Sequence, residues 1–188
     1  MTSQPNSRQV VLAAIGMGSN LGDREAILLA AWHDLYLRAG INALRLSSPY
    51  LSAPLEMDST NAFVNAVALV ETTLEPLALL HILQDLEACH GRRRDPVKTG
   101  HQDRTLDLDL LFWDRLCLKS SELTLPHPRL HERLFVLAPL EELLPQWQHP
   151  LLRGKVSALL AQLRTQGTQY VERSSWSRDP GLYHSQRQ

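Results

Sequence analysis

Hydrophobic residues recur along the chain with two different periods, which predict alternating strands and helices. The apolar run 9–15 predicts a first strand, which we expect to end in a turn formed by Gly16, Gly18 and Gly22. Apolar residues at helical spacing then predict a first helix that begins at the N-cap Asp23. The glycine turn has two readings: a structural connection, or a cradle for phosphate at a helix N-terminus.

The next segment predicts two more strands joined by a loop. Residues 41–50 are typical of a strand, and residues 52–62 are a polar loop. From Phe63 onward, alternate residues are apolar on both faces, as in a strand covered on both sides. The chain therefore contains a candidate central strand that begins at Phe63.

A second helix and a second loop follow. Pro76 suits the first turn of a helix over residues 76–90, where leucines recur every three or four positions. Residues 91–103 are charged and contain helix breakers, which predicts an exposed loop that closes as a lid over bound substrates. We expect Lys98 or His101 to seal the closed state of this lid.

The pattern is weaker towards the C-terminus. It predicts a short strand near Leu116 and helical segments at 139–144 and 155–164. Residues 165–188 have the composition of a polar, poorly ordered tail, which leaves a single domain over residues 1–164. Strands and helices in mixed order favour a layered α/β (α+β) sandwich, with helices covering the sheet.

Composition narrows the classes of function. The 188 residues are 44% hydrophobic, and 19 basic against 20 acidic residues give a net charge of −1. This balance excludes a globally basic nucleic-acid binder. The two cysteines lack the spacing of a zinc site, and neither a signal peptide nor a membrane span is apparent. We expect a cytoplasmic protein that binds neither nucleic acid nor a membrane.

The segment 104–112 is the most informative part of the chain. Strand alternation places its leucines on one face and Asp107 and Asp109 on the other, with the two aspartates about 6.5 to 7 Å apart. A divalent cation such as Mg²⁺, carrying nucleotide phosphates, would keep both carboxylates ionised. The alternative is an exposed face on which aspartates pair with lysine or arginine. Because aspartate is disfavoured in strands, the metal reading is favoured.

Other polar and aromatic residues suit the same chemistry. Phe63 and Asn65 combine an aromatic face with an amide that both donates and accepts, which suits a flat heterocycle, although most strand aromatics belong to the core. Cationic side chains of the kind that bind phosphate lie near the aspartates in sequence. They are Arg92, Arg94, Arg104, His127 and Arg133.

Several separate blocks together resemble one enzyme family. They are Ile15-Gly16 with Gly18-Ser19-Asn20-Leu21-Gly22, Phe63-Val64-Asn65-Ala66, Arg104-Thr105-Leu106-Asp107-Leu108-Asp109, and Pro126-His127-Pro128-Arg129 with Glu132, Arg133 and Phe135. On these blocks, residues 10–145 resemble the 6-hydroxymethyl-7,8-dihydropterin pyrophosphokinase (HPPK) family. The resemblance implies a ferredoxin-like layered sandwich with a central, mostly antiparallel sheet covered by helices. It also implies transfer of pyrophosphate from ATP to the pterin hydroxymethyl group, with release of AMP, in folate synthesis.

The resemblance also implies roles for individual residues. Asp107 and Asp109 would hold two Mg²⁺ ions, and Arg92 and Arg104 would act on the transferred group. The pterin would contact Ser52, Leu55, Phe63, Asn65 and Phe135. ATP would contact Gln84, Glu87, Arg94, Arg104, Leu110, Thr124, His127 and Arg133. The partners would be these two small molecules, and the enzyme would act as a monomer.

The chain departs from the family pattern at three places: the end of the second loop, residue 53 and residue 17. Gly100-His101-Gln102-Asp103 replaces the usual basic, tryptophan and Gly-Pro elements, Ala53 replaces a common proline, and Met17 splits the first glycine block. Two alternatives therefore stay open: a paralogue that acts on a modified pterin, and a ferredoxin-like binding module without activity.

Overall fold

The computed structural model describes residues 9–56, 59–92 and 102–180. Its strands are β1 (Val11–Ser19), β2 (Ile41–Leu46), β3 (Tyr50–Ser52), β4 (Phe63–Thr72), β5 (Asp107–Trp113), β6 (Leu118–Lys119), β7 (Thr124–Leu125) and β8 (Val171–Arg173). Its helices are α1 (Arg24–Leu37), α2 (Pro76–Cys89), α3 (Leu134–Leu143) and α4 (Val156–Thr165), with a 3-10 turn at Leu130–Glu132.

The main sheet has the order β5-β1-β4-β3-β8, and β2 pairs with the other half of the same edge of β4. Each of its described ladders is antiparallel. Strands β6 and β7 form a separate hairpin. The predicted mixed α/β class with a mostly antiparallel sheet is confirmed.

Apolar side chains cover both faces of the sheet. On one face, Trp32 of α1 and Leu83 of α2 pack with Ile15 and Leu108 of the sheet. On the other, α3 and α4 pack over a second cluster that includes Phe112. The two-sided burial explains why β4 is apolar at almost every position, as the alternation from Phe63 predicts.

The local signals at the first two helices are also confirmed. The Asp23 carboxylate accepts a hydrogen bond from the Ala26 backbone N–H at 3.2 Å, as a helix N-cap does. Pro76 opens α2, where the missing N–H would have no intrahelical partner. Within the described residues, no helix is both long and apolar enough to span a membrane.

The expected glycine turn is wrong for two of its three glycines. Strand β1 continues through Gly16 and Gly18 to Ser19, because both of its edges are paired: β4 lies on one side and β5 on the other. Gly22, with φ of +68°, is the one of the three that forms the turn. A phosphate cradle built from all three glycines is therefore excluded.

Three other boundaries differ from the predictions. The expected strand 41–50 is two strands, β2 and β3, separated by residues 47–49. Helix α3 begins at Leu134, five residues before the predicted start at 139, because a continuous apolar stretch hides the boundary. The segment 165–188 is not a disordered tail throughout, since β8 joins the sheet by pairing with β3.

Candidate active site

A cleft opens at the end of the sheet where β1 and β4 meet the start of β5. Three elements besides these strands close it: β3 with the residues that follow it, the segment before β5, and the start of α3. Its lining residues are Gly16, Met17, Gly18, Ser52, Ala53, Leu55, Glu56, Phe63, Asn65, Ala66, Arg104, Asp107, Asp109, Arg133, Phe135 and Val136.

Asp107 and Asp109 face this cleft from β5, and the leucine between them is buried on the opposite face. The predicted alternation is therefore confirmed. Asp107 lies opposite Gly18 of β1, and Asp109 lies opposite Gly16. Because the facing strand has no side chain at either position, space is left beside both carboxylates.

Three arginines meet the two aspartates. Arg92 Nη1 lies 2.7 Å from Asp107 Oδ1, and Arg104 Nε lies 3.4 Å from Asp107 Oδ2. Arg133 Nη1 lies 3.5 Å from Asp109 Oδ2. The arginine pairing that was the alternative to a metal site is therefore present in the structure. It involves the same two carboxylates that would bind Mg²⁺.

Several polar atoms in and beside the cleft are buried without hydrogen-bond partners. They include the Nε atoms of Arg104 and Arg133 and the hydroxyl of Thr105, and this holds for the part of the chain that the structure describes. Unpaired buried donors are costly, and an anion that enters the cleft could satisfy them. These orphaned guanidinium donors suit a phosphate-bearing ligand.

Burial and charge shift the pKa values of the groups around Asp109. Burial, and next the charge of Asp107, raise the pKa of Asp109 above its ordinary value. Burial lowers the pKa of His127, an effect that the Asp109 charge partly opposes. His127 Nδ1 accepts a hydrogen bond from the Arg129 backbone N–H at 3.2 Å, which fits a neutral imidazole protonated at Nε2.

Glu87 on α2 is buried and joins the helix to β5. Its Oε1 accepts a hydrogen bond from the Leu108 backbone N–H at 2.7 Å, and the same carboxylate contacts Arg92. Burial raises the pKa of Glu87, while the Leu108 N–H and the Arg92 charge act in the opposite direction. Glu87 thus holds Arg92 where it meets Asp107.

The residues predicted for the pterin converge in one part of the cleft. Asn65 Nδ2 donates to Ser52 Oγ at 3.0 Å, while a Cβ on Gly18 would lie 3.3 Å from Asn65 Oδ1. Phe63 and Phe135 both line the cleft, and each has a guanidinium 5.6 Å from its ring centroid, Arg104 and Arg133 respectively. The five predicted pterin residues, including Leu55, therefore line the same cleft.

The residues predicted for ATP are less concentrated. Arg104 and Arg133 line the cleft, but within the described ranges its lining does not include Gln84, Glu87, Leu110, Thr124 or His127. Gln84 is exposed on α2 and Thr124 lies on β7. The Leu110 side chain is buried on the far face of β5, so a nucleotide could reach only its backbone. Arg94, Lys98 and His101 lie outside the described residues.

Sequence reasoning missed a polar network beside the cleft. Asp103 accepts hydrogen bonds from Asn20 Nδ2 at 2.6 Å and Asn61 Nδ2 at 2.7 Å. Asn20 also accepts from the Arg104 backbone N–H at 2.7 Å. The network links the end of β1 to both loops and fixes the backbone of Arg104. Asn20 and Asn61 lie far apart in sequence, so no local pattern could have paired them.

The described residues contain no group of three or more histidine, cysteine, aspartate and glutamate side chains that could hold a metal ion. Asp107 and Asp109 are only two such residues, so they do not form a group of this size. Mg²⁺, however, is commonly held by one or two carboxylates together with waters and substrate phosphates. The donor set of Asp107 and Asp109 fits Mg²⁺ that arrives with a nucleotide.

Comparison with known proteins decides the family. Residues 14–145 match the family model described as 7,8-dihydro-6-hydroxymethylpterin-pyrophosphokinase (HPPK). This chain belongs to the HPPK family. It is 40% identical over 135 residues to the 2-amino-4-hydroxy-6-hydroxymethyldihydropteridine pyrophosphokinase of Bacillus subtilis, covering 72% of this chain and 79% of that protein. It is 37% identical over 142 residues to the Porphyromonas gingivalis protein of the same name, covering 75% and 95%.

Solved structures with the HPPK fold are also similar. A Plasmodium falciparum HPPK-DHPS crystal structure with pteroate superposes with a TM-score of 0.68 and 14% sequence identity. The match covers 86% of this chain and 42% of that larger chain. At this identity the likeness concerns the fold alone. It agrees with the antiparallel sheet and flanking helices described above.

Proposed function

We infer that this HPPK-family chain transfers pyrophosphate from ATP to 6-hydroxymethyl-7,8-dihydropterin in folate synthesis. The inference of this reaction rests on membership of the HPPK family. The observation in this chain that best supports it is the shared cleft: Asp107 and Asp109 face the same space as Phe63, Asn65 and Phe135. A flat heterocycle and a polyphosphate would therefore lie side by side.

The pterin would lie between Phe63 and Phe135, with its edge against Asn65. The Asn65 amide donates to Ser52 Oγ and, at 3.3 Å, to the Tyr50 carbonyl, so the orientation of its carbonyl oxygen is set before substrate binds. A preorganised acceptor of this kind selects a ring edge with N–H donors. Stacking on both faces would supply most of the remaining affinity.

The triphosphate would lie against Asp107 and Asp109 through Mg²⁺, for which two ions are expected. Asp107 and Asp109 would hold Mg²⁺, which would neutralise phosphate charge. Arg92 and Arg104, which contact Asp107, would turn towards the phosphates and stabilise charge on the transferred group. Arg104 Nε lies 3.4 Å from Asp107 Oδ2 but makes no hydrogen bond in the described part of the chain, which supports this assignment.

In the proposed step, the pterin hydroxyl oxygen attacks the β-phosphorus of ATP in line. A new oxygen–phosphorus bond forms, the bond between the β-phosphorus and the α,β-bridging oxygen breaks, and AMP leaves with that oxygen. The hydroxyl proton is released to solvent. No covalent intermediate on the protein is needed, because positioning and charge neutralisation supply the catalysis.

The test is AMP formation from ATP with the full chain, Mg²⁺ and 6-hydroxymethyl-7,8-dihydropterin, with EDTA as one control. A dihydropterin that carries a 6-methyl group instead of the hydroxymethyl group is the matched control, because it fills the slot but lacks the nucleophile. AMP formed only with the hydroxymethyl compound and Mg²⁺ supports the assignment. Equal AMP formation without the pterin would refute it.

A monomeric state and a cytoplasmic location stay predictions.

A further inference from the structure

Gln169 lies beyond the residues 14–145 that match the family model, yet its side chain bonds the backbone beside the cleft residue Arg133. Its Nε2 donates to the Glu132 carbonyl at 2.7 Å, and its Oε1 accepts from the Leu134 backbone N–H at 2.9 Å. These two backbone groups flank Arg133. The Gln169 amide therefore makes hydrogen bonds to the backbone on both sides of the cleft residue Arg133.

The hydrogen bond from the Leu134 N–H to Gln169 caps the N-terminus of α3, whose own N-cap residue makes no side-chain cap hydrogen bond. Leu134 is the first residue of α3, so its N–H has no intrahelical partner, and the preceding Arg133 makes no side-chain cap hydrogen bond. The remote amide of Gln169 satisfies that N–H. The start of α3, which carries Phe135 into the cleft, is therefore fixed from outside the helix.

The Arg133 side chain depends on this backbone support. It is 12% exposed, and its Nε is buried without a hydrogen-bond partner in the described part of the chain. Its Nη1 lies 3.5 Å from Asp109, beyond the usual range for a hydrogen bond. Its guanidinium also lies 5.6 Å from the centroid of the Phe135 ring. Arg133 and Phe135 therefore contact each other within the backbone segment that Gln169 holds.

The same segment holds the opposite wall. Two residues after Gln169, β8 pairs with β3, and Val171 lies opposite Ser52, whose hydroxyl accepts from Asn65. Further along, the Ser174 N–H donates to the Pro49 carbonyl at 2.9 Å, and Trp176 Nε1 donates to the Ser47 carbonyl at 2.9 Å. The backbone of β3 and of the residues before it is tied down by these bonds.

We propose that residues 169–176, here named the C-terminal clamp, hold the two walls of the pterin cleft at a fixed separation. Gln169 is a positioning residue for Arg133 and Phe135, and β8 positions Ser52. The clamp rests on the proposed function, because it assigns the cleft between these walls to the pterin. Its ligand class is therefore a hydroxymethyl-dihydropterin that stacks on Phe135 and places its edge against Asn65, which is bonded to Ser52.

Gln169→Leu is the test variant, because leucine has a similar volume and makes neither hydrogen bond. We expect its KM for the pterin to rise at least fivefold, with a smaller change in the KM for Mg-ATP. Gln169→Glu keeps an acceptor for the Leu134 N–H and loses the donor, so it should recover part of the affinity. Gln162→Ala, an exposed glutamine on α4, is the matched control and should behave as wild type.

The split between KM and kcat separates positioning from general stability. A merely structural Gln169 would lower thermal stability and the active fraction, which reduces apparent kcat and leaves the pterin KM unchanged; that result overturns the proposal. Equilibrium binding of 6-hydroxymethylpterin, measured in parallel, separates the clamp from the activity. Wild-type binding without turnover refutes the activity alone, and a Leu variant that binds as tightly as wild type refutes the clamp. A wild-type chain that does not bind the pterin refutes both.

Discussion

At the scale of single residues, Asp109 is under opposing influences. Burial and the Asp107 carboxylate raise its pKa, while His127 and Arg133 act in the other direction. The net shift is upward, so in the absence of ligand the ionised form is less favourable than it would be in water. A cation brought by the nucleotide would reverse that balance, which is why an unfavourable carboxylate suits a substrate-dependent metal site.

Asp109→Asn should reduce kcat at least a hundredfold at saturating Mg²⁺. The amide keeps the shape of the side chain but would remove one of the two anionic ligands that we propose for Mg²⁺. Steady-state AMP formation measures the effect. Asp114→Asn, at an exposed position just after β5, is the control and should keep wild-type activity. Near-normal turnover in Asp109→Asn would remove the metal assignment.

The same variant should be at least as stable as wild type at pH 7. Because the folded-state pKa of Asp109 is raised, the folded chain holds the proton more tightly, so its stability falls as pH rises through that pKa. Asparagine avoids this loss, although 38% exposure of the Asp109 side chain keeps the gain small. Thermal unfolding from pH 4 to pH 8 should show the difference shrinking towards acid pH. A variant several degrees less stable at pH 7 would mean that the Arg133 pair outweighs burial.

For helices and strands, the sequence predicts side-chain alternation along a strand and the N-cap of a helix, but it does not predict which strands pair. The Asp107–Asp109 alternation and the Asp23 cap depend on neighbours in sequence, and both were predicted correctly. Glycines 16 and 18 read as a turn because glycine is a poor strand former. Here β4 and β5 pair with both edges of β1, so tertiary hydrogen bonds override that preference. The pairing of β8 with β3 joins residues over a hundred positions apart, beyond any local pattern.

Glycine 18 should be needed for its lack of a side chain rather than for its backbone. A Cβ there would lie 3.3 Å from Asn65 Oδ1 and 3.8 Å from Phe63, so Gly18→Ala should shift the amide and raise the pterin Kd at least threefold. Gly16→Ala is the matched control in the same strand. The three atoms nearest to its Cβ, at 3.3 to 3.6 Å, all belong to the Leu111 side chain, so this variant should leave the Asn65 amide in place. Calorimetric titration that shows equal pterin affinity for both variants would contradict the proposed slot.

At the scale of the whole molecule, the sequence identified the reaction, and the structure adds how distant segments build the site. The residues that match the family model end at 145, but β8 pairs with a strand that lines the cleft, and Gln169 bonds the backbone on both sides of Arg133, from beyond that point. Composition alone suggested a polar tail there, because a three-residue strand with one half-buried position carries almost no hydrophobic signal. Residues 93–101 of the second loop, with Arg94 and His101, lie outside the described residues, so its action as a lid stays a prediction.

Binding of the nucleotide should stabilise the whole fold only when Mg²⁺ can bridge it to the two aspartates. α,β-Methylene-ATP is the probe, because the bond that would release AMP cannot break. A ligand at a hundred times its Kd stabilises the folded state by about 2.7 kcal/mol. For a chain of this size, that is a rise in Tm of roughly 5 to 10 °C. Since the triphosphate would otherwise face two carboxylates, the shift with EDTA in place of Mg²⁺ should be much smaller.

The Asp107→Asn/Asp109→Asn double variant tests where that dependence arises. Neutral amides do not repel the triphosphate. Arg104 and Arg133 would lose their aspartate partners and could bind it instead, so some shift should persist. That shift should be the same with Mg²⁺ and with EDTA, because the metal ligands are gone. Differential scanning fluorimetry with both chains, in both buffers, gives the four values needed. A double variant that still gains several degrees from Mg²⁺ would show that the nucleotide-bound metal is held elsewhere in the chain.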